Sequence, residues 1–544
     1  MQDATQHEQQ QINVDNASRK GQEKMEQFAK ALKTTFDNEV SVTENGAIGF
    51  KTSGKKLVDL NFATSTLRNS TDQEIINKFD DAFYENALLA VKWLFFARDI
   101  RGGMGERRIF RVCLKWLSQN QKPIAKAVLP VVAEYGRFDD LFELAGTELW
   151  DDIVKLVDEQ ITADYDNMKA GKPFSLLAKW MPSVNTSSPK SVALAKKFAR
   201  SLNLSEKQYR KMLSALRAAL KVVEVNASAN KWTDIDYNTV PSKANLKYKD
   251  AFLKHDEARR RGYLDALSKP ESGAKINAAA AFPCDIVHKY RIRYGYAYAE
   301  DAALEAMWKA LPDFVAGNDH GKTIVVADGS GSMEMSVGGG QMTALEVANS
   351  LAVYFAEKLE GPFKNKYITF SERPQFVDFS GAKTLLEKLM IALRHNECAN
   401  TNIEAVFDMI LDTALRSNLS QEELPANILV VSDMEFDRCT YGNEILANRY
   451  GRWNADKTAL FSRIAARYNE HGYKFPRLVF WNVASRTGTI PLRENENGVA
   501  LVSGYSPAIA KMVFSAKTDP FEALVDTLNS PRYNIVGQLV KGKV

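Results

Sequence analysis

Between residues 60 and about 315, apolar side chains recur three and four positions apart, the spacing that lines one face of a helix. DAFYENALLAVKWLFFARDI, RRIFRVCLKWLSQN, KPIAKAVLPVVAEYG, DDIVKLVDEQITADYDNMKA and EKQYRKMLSALRAALKVVE all follow it. Short connectors carrying Gly, Pro or Asn (RGGMGE, YGRFDD, AGKPF) separate them. Stacked helical hairpins produce such a pattern, although no fixed repeat period runs through the segment. After Gly321 the pattern changes to alternating strands and helices. KTIVVAD, ANILVVSD and PRLVFWNVA are buried-strand runs, and KYITF with QFVDF reads as a short antiparallel pair. Four helical stretches (MTALEVANSLAVYFAEKLE, AKTLLEKLMIALRH, NIEAVFDMILDTALRS and ADKTALFSRIAARYNEHG) lie between or beside these strands. This alternation predicts an open, mostly parallel sheet with helices on both faces. The expected architecture is α followed by α/β: a HEAT-like helical repeat over 60–320, as a ring or arc, and a Rossmann-like unit over 321–544. Residues 1–20 are Gln-rich and read as a disordered polar tail. An extension over 21–59 holds one amphipathic stretch and a weak strand pair around SVTENGAIGFKTS.

Length and composition narrow the class. A chain of 544 residues exceeds what one core usually serves, so two or more large domains are expected. No apolar run approaches the roughly 20 residues of a membrane helix, and the polar N-terminus lacks the apolar core of a signal peptide. Cys113, Cys284, Cys398 and Cys439 form no close pair, which argues against a disulfide framework or zinc site and suits a reducing compartment. An intracellular, cytoplasmic protein is expected, of cellular or viral origin.

The net charge of +4 is unevenly spread. Residues 190–269 hold 18 lysines and arginines against 8 aspartates and glutamates. The same segment carries Tyr209, Trp232, Tyr237, Tyr248 and Tyr263. Basic groups neutralise phosphates and aromatic faces stack unpaired bases, so the combination suits single-stranded RNA. Its densest stretches put forward Lys243, Lys247, Tyr248 and Lys249 in KANLKYK, Arg259, Arg260 and Arg261 in HDEARRRGY, and Trp232. A solvated helical face with core aromatics would show the same composition. RDIRGGMGERR (98–108) is open to two readings as well. It can be a phosphate-binding loop before a helix, or a tight turn whose arginines pair with Asp99 and Glu106.

Residues 323–336, TIVVADGSGSMEMS, run from a strand into Asp328, Ser330 and Ser332 at alternate positions. Ligands of open α/β sheets bind beyond the carboxyl ends of the strands. Two further oxygen-rich loops occupy comparable places: HNECANTN with Thr401, and SDMEFD with Asp433. The five are hard oxygen donors, which suit Mg²⁺ or another divalent cation and leave a coordination position for an incoming acidic group. Gly329 and Gly331 are expected to let the loop turn tightly. Thr343, Asn400 and Asn402 compete with Thr401 for the third place. The set resembles the metal-ion-dependent adhesion site of von Willebrand factor A domains, D-x-S-x-S followed by Thr and Asp. The resemblance implies Ser330, Ser332 and Thr401 as ligands, with Asp328 and Asp433 often acting through water. The chain departs from that family in having Ala399-Asn400 where glycines are common. GNDHGKT (317–323) lacks the spacing and context of a P-loop, and no His, Ser or Cys stands in a recognisable catalytic setting.

A helical array followed by an A domain resembles the Ro autoantigen family and its TROVE module. FARDIRGGMGERRIF, LPVVAEYGRFDDLFEL, LLAKWMPSVNTSS, YRKMLSALRAALKVVE and KWTDIDYNTVPSKAN are closer still to a TROVE-related family of plants, fungi and viruses. The resemblance covers roughly residues 60–540 and implies a ring of helices that holds single-stranded RNA ends on its basic inner surface and small structured RNAs on its outer face. The expectation is therefore a non-enzymatic RNA-binding protein with a Mg²⁺ site. A protein-interaction scaffold whose metal site engages a partner's acidic residue is the rival. A two-metal nuclease lacks its paired carboxylates.

Overall fold

Strands β1 (Val40–Val42) and β2 (Ile48–Phe50) pair antiparallel, where the weak strand signal was read. They open a computed structural model that describes residues 40–544 apart from 293–294, 297–298, 317–321, 339, 398, 438–459, 494–496 and 515–516. The polar tail, the amphipathic stretch before residue 40, Cys398, Cys439 and the expected domain boundary at 320/321 lie outside the described residues.

From Lys56 to Lys309 the chain is a succession of helices. Local signals start them: Thr71 and Glu74 form a capping box for Asp72–Glu85, Asn86 caps Ala87–Arg98, and Ser205 with Gln208 caps Glu206–Ala219. Their apolar faces meet in aromatic contacts such as Phe79 with Trp116, centroids 5.5 Å apart. A small two-residue pair, β3 (Arg291–Ile292) with β4 (Gly295–Tyr296), precedes the last helix of the series, Ala302–Lys309.

The remainder forms a sheet of six strands in the order β10–β9–β8–β5–β6–β7. These are β5 (Thr323–Asp328), β6 (Lys366–Phe370), β7 (Gln375–Asp378), β8 (Asn427–Ser432), β9 (Arg477–Asn482) and β10 (Val499–Ser503). All neighbours are parallel except β6 and β7. β5 and β10 are buried at every position and β8 at all but its first, as expected of parallel strands covered on both faces. The hydrophobic pattern had not singled out β10 or the helices after it.

Those late helices pack back on the helical series. One continuous cluster of buried apolar side chains runs from Ala47 to Val540 across helices and sheet alike. Tyr533, beyond the sheet, stacks on Tyr135 at 5.7 Å and meets Phe96 edge-on. Arg532 pairs with the buried Asp99 through Nη2 and Oδ1 at 2.8 Å. At the other end of the helical series, Arg291 and His288 both contact Glu346 of the helix Ala344–Lys358 at 2.9 Å. The helical series thus begins and ends against the α/β unit. A second, smaller core gathers Val223, Ile235, Tyr237, Val240, Ala244 and Phe252.

The glycine loop at 102–105 is a tight turn. The N–H groups of Gly103, Met104, Gly105 and Glu106 all donate to carbonyls of the preceding helix end, at Phe96, Ala97 and Asp99. The amides from Gly103 to Glu106 are thus turned inward, away from any phosphate. Gly103 is required by close approach, since a Cβ there would lie 2.0 Å from the Phe96 carbonyl oxygen. The ion pairs are longer-range than expected: Asp99 takes Arg532, and Glu106 takes Arg68.

Candidate metal centre and basic surfaces

The loop after β5 carries Asp328, Ser330 and Ser332 at the carboxyl end of the sheet. Ser330 N–H donates to Asp328 Oδ1 at 2.9 Å, and the Ser330 and Ser332 hydroxyls stand 3.1 Å apart. Neither Gly329 nor Gly331 uses a left-handed conformation, which corrects the expected reason for them. Gly329 answers to close approach: its N–H donates to Phe370 O at 2.8 Å, and a Cβ would sit 2.9 Å from Thr369 Oγ1.

The other two loops converge on this one. Gly331 N–H donates to Ala399 O at 3.0 Å, tying the Thr401 loop to the serine loop. Thr401 N–H donates to Asp437 Oδ2 at 2.9 Å, and Asp437 N–H returns to Thr401 O at 3.1 Å, tying it to the loop after β8. Thr343 is withdrawn from the competition because its hydroxyl caps the helix Ala344–Lys358. Asn402 Oδ1 accepts from Ala405 N–H at 3.1 Å, a helix-start role, and Asn400 is exposed. Thr401 is buried, and its Oγ1 accepts from Asn45 Nδ2 at 3.3 Å.

Asp328 and Asp433 are both fully buried. Burial, with the charge of Asp433 beside it, pushes the Asp328 carboxyl up to about 7. Burial also raises Asp433, against the Glu435 N–H and Ser332 hydroxyl that favour its charged form. Ser432 Oγ donates to Asp328 Oδ2 at 2.5 Å. Asp433 Oδ2 accepts no hydrogen bond from the described residues, and a buried carboxylate oxygen without one is costly. Arg486 Nη1 approaches it only to 3.5 Å. Met434, between two buried acids, adopts φ 62°, a left-handed conformation uncommon for a side chain of its kind.

Residues the motif did not reveal complete the surroundings. Glu435, fully buried, accepts from the N–H groups of Glu44, Arg486 and Thr487 at 2.7–2.8 Å. It fastens the β1–β2 tip and the segment after β9 to the site. Asp437 and Glu435 lie in the same SDMEFD stretch as Asp433 and were visible there. Glu44 and Arg486 were not: they stand 391 and 51 positions from Glu435, with no local pattern to mark them.

A divalent cation fits what is present. Three hydroxyl-bearing residues, two buried carboxylates and one orphaned carboxylate oxygen are drawn together at a strand end. Ser330, Ser332 and Thr401 would hold it, with Asp328 and Asp433 behind them. Among the described residues, no three Asp, Glu, His or Cys converge as a metal-binding group, so such a site would depend on its hydroxyls.

The basic candidates fare differently. Arg260 is fully buried among Tyr237, Phe252 and Tyr263, with ring centroids 4.8–5.2 Å from its guanidinium. It belongs to the small core and is removed from any RNA surface. Arg259 is held by Asp256 and by the carbonyls of Ile235 and Trp232 at 2.7–2.8 Å. Lys249 is shared by Asp250 and Asp301 at 2.8 Å, Lys243 pairs with Asp285, and Arg261 with Glu257 at 2.9 Å. Trp232 stacks on His255 at 4.6 Å, and Tyr248 packs on Phe252. Lys247 remains exposed, lying over the Tyr248 ring at 4.8 Å. The clearer basic face is on the helix Glu206–Ala219. Its buried side is Tyr209, Leu213 and Leu216, while Lys207, Arg210 and Lys211 are exposed on the other. None of these three forms an ion pair among the described residues.

Comparison with known proteins adds three findings. Residues 43–133 and 145–318 match a domain of unknown function, DUF2828, and residues 322–530 match another, DUF7788. An uncharacterized protein of Acanthamoeba polyphaga mimivirus is 30% identical over 528 residues, covering 90% of this chain and 87% of its own length. The crystal structure of the RO (RSR) protein of Deinococcus radiodurans overlaps 90% of this chain and 100% of its own, at 12% identity and a TM-score of 0.43.

Proposed function

Because the chain belongs to the family that carries these two domains of unknown function, with the mimivirus protein among its relatives, we propose from its surface that it is an RNA-binding protein. The observation that carries this is the exposed face of Glu206–Ala219, where Lys207, Arg210 and Lys211 lie three and four residues apart with no carboxylate partner among the described residues. Charges on one helical face without intramolecular partners are available to phosphates, whereas those at 243–261 are largely engaged. The Ro-like resemblance of the sequence agrees with a single-stranded partner. The surplus of basic residues over 190–269 provides the wider field that draws a polyanion in.

The α/β unit adds a second activity to the same proposal. The orphaned Asp433 Oδ2 supports a divalent cation held by Ser330, Ser332 and Thr401. When bound, the ion supplies an open position for a carboxylate of a protein partner. The protein is read as a binder in both respects and no catalytic step is assigned to it.

Anisotropy of a fluorescent single-stranded RNA, titrated with the full chain across a salt series, tests the first activity. Affinity that falls with a log–log slope of about −2 or steeper supports phosphate contacts by three or more basic groups. Absence of binding at low salt rejects RNA and leaves the protein-partner reading.

A further inference from the structure

We infer that Arg486 and the β1–β2 tip form a latch over the candidate metal centre, with the guanidinium as a tethered cation that a divalent ion must displace. This rests on the metal reading of the same site. The Arg486 side chain is half-buried and reaches across the site from the segment after β9. One terminal nitrogen, Nη1, donates to Met335 Sδ at 2.9 Å and stands 3.5 Å from Asp433 Oδ2, an ion pair without a hydrogen bond. Nη2 pairs with the carboxylate of Glu44, and Nε is buried with no hydrogen-bond partner among the described residues. Arginines that hold structural carboxylates frequently do so through two parallel N–H donors, as Arg532 holds Asp99. This one makes no hydrogen bond to Asp433: its Nη1 turns to the weak sulfur acceptor of Met335, and its charge is divided between a buried acid and an exposed one.

The hairpin is built to present Glu44 there. Thr43 Oγ1 donates to Phe436 O at 2.6 Å, and Asn45 Nδ2 donates to Glu435 O at 2.6 Å. Glu44 N–H is held by Glu435, while its own side chain is 55% exposed. The backbone of the tip is therefore anchored on both sides of a side chain free to change partner. A divalent cation at Asp433 and a guanidinium 3.5 Å away repel each other. Binding of the ion thus moves Arg486 toward Glu44, and loss of the ion lets it settle on Asp433. Glu44 acts through Arg486: the more firmly it holds the guanidinium, the more open the site.

Calorimetric titration of the full chain with Mg²⁺ alone tests this. Arg486→Met should bind Mg²⁺ about tenfold more tightly than wild type, from relief of one close like charge. Glu44→Gln, at an exposed position that cannot disturb the core, should bind about threefold more weakly because Arg486 is left to Asp433. In the Arg486→Met background, Glu44→Gln should have no further effect, whereas two charges acting independently on the ion would add. Additive effects, or equal affinities for wild type and Arg486→Met, overturn the latch and leave the metal reading intact. Failure of both wild type and Arg486→Met to bind Mg²⁺ rejects the metal reading and the latch together. Binding by Arg486→Met alone supports both.

Discussion

Buried carboxylates occur in both halves of the molecule, and they are treated in opposite ways. In the helical half, Asp140 is fully buried and takes Arg98 at 2.8 Å, Arg111 at 2.6 Å and the N–H of Arg137 at 3.0 Å. Burial alone would raise its carboxyl, but those arginines and that N–H hold it below its usual range. Asp99, equally buried, is closed off by Arg532 and Tyr533. At the sheet end, Asp328 and Asp433 are as deeply buried, yet both are pushed up, and one oxygen of Asp433 has no hydrogen bond. The first kind fastens the fold by meeting every charge with a partner. The second is the arrangement on which the proposed cation site rests.

The comparison can be broken most sharply at Asp140. Asp140→Ala should cost about 3–5 kcal/mol in urea unfolding, because Arg98 is left buried without its partner. It should leave Mg²⁺ affinity unchanged. The pH dependence follows from the same shift. A carboxylate with a depressed folded value stabilises above its ordinary value near ~3.9, and that contribution is lost as pH falls through the lower folded value. Acid unfolding of wild type should therefore be less steep in Asp140→Asn below about pH 4.

The sheet end should respond with the other sign. Asp433→Asn removes a buried charge whose ion pair with Arg486 is long, at 3.5 Å, so without Mg²⁺ it should be neutral or stabilising by about 1 kcal/mol. Wild type should gain about 2–3 kcal/mol when Mg²⁺ reaches a hundredfold excess over its Kd, and Asp433→Asn should gain none. Thermal melts with and without the ion read both effects. Loss of stability in Asp433→Asn without ion would mean that Asp433 is structural after all.

The two glycine loops give the next largest contrast. Gly103→Ala drives a Cβ to 2.0 Å from a backbone oxygen and should destabilise by about 2 kcal/mol or more. Gly331 is exposed and carries no positive φ, so Gly331→Ala should stay within about 0.5 kcal/mol. Denaturant melts of the pair separate a packing glycine from a merely tolerated one.

Much of this was legible in the sequence, for physical reasons. Runs such as TIVVAD and NILVVS are apolar throughout because parallel strands are covered on both faces. The D-G-S-G-S order placed Asp328, Ser330 and Ser332 on one loop because alternate positions there can face one point. What was illegible depends on residues distant in the chain. Nothing local tells that Arg260 packs inside three aromatic rings, or that Asp301 takes Lys249 across 52 positions. Charge density marks where basic residues are, not which of them already have partners. The Glu44 and Arg486 contacts with the loop after β8 were hidden for the same reason. By contrast, the turn at 98–108 could be resolved only by counting its amides, every one of which from Gly103 to Glu106 returns to its own helix.

On this reading, exposed basic groups without carboxylate partners among the described residues are the ones that meet RNA. Its most direct test compares two variants of equal charge change by RNA binding over a salt series. One is Lys207→Gln with Arg210→Gln and Lys211→Gln; the other is Lys243→Gln with Lys249→Gln and Arg261→Gln. The account predicts that the first set lowers the magnitude of the salt slope by about 2, the contribution of three phosphate contacts on a single strand. The second set should leave the slope as in wild type. Equal losses in the two, or a loss confined to the second, would contradict it.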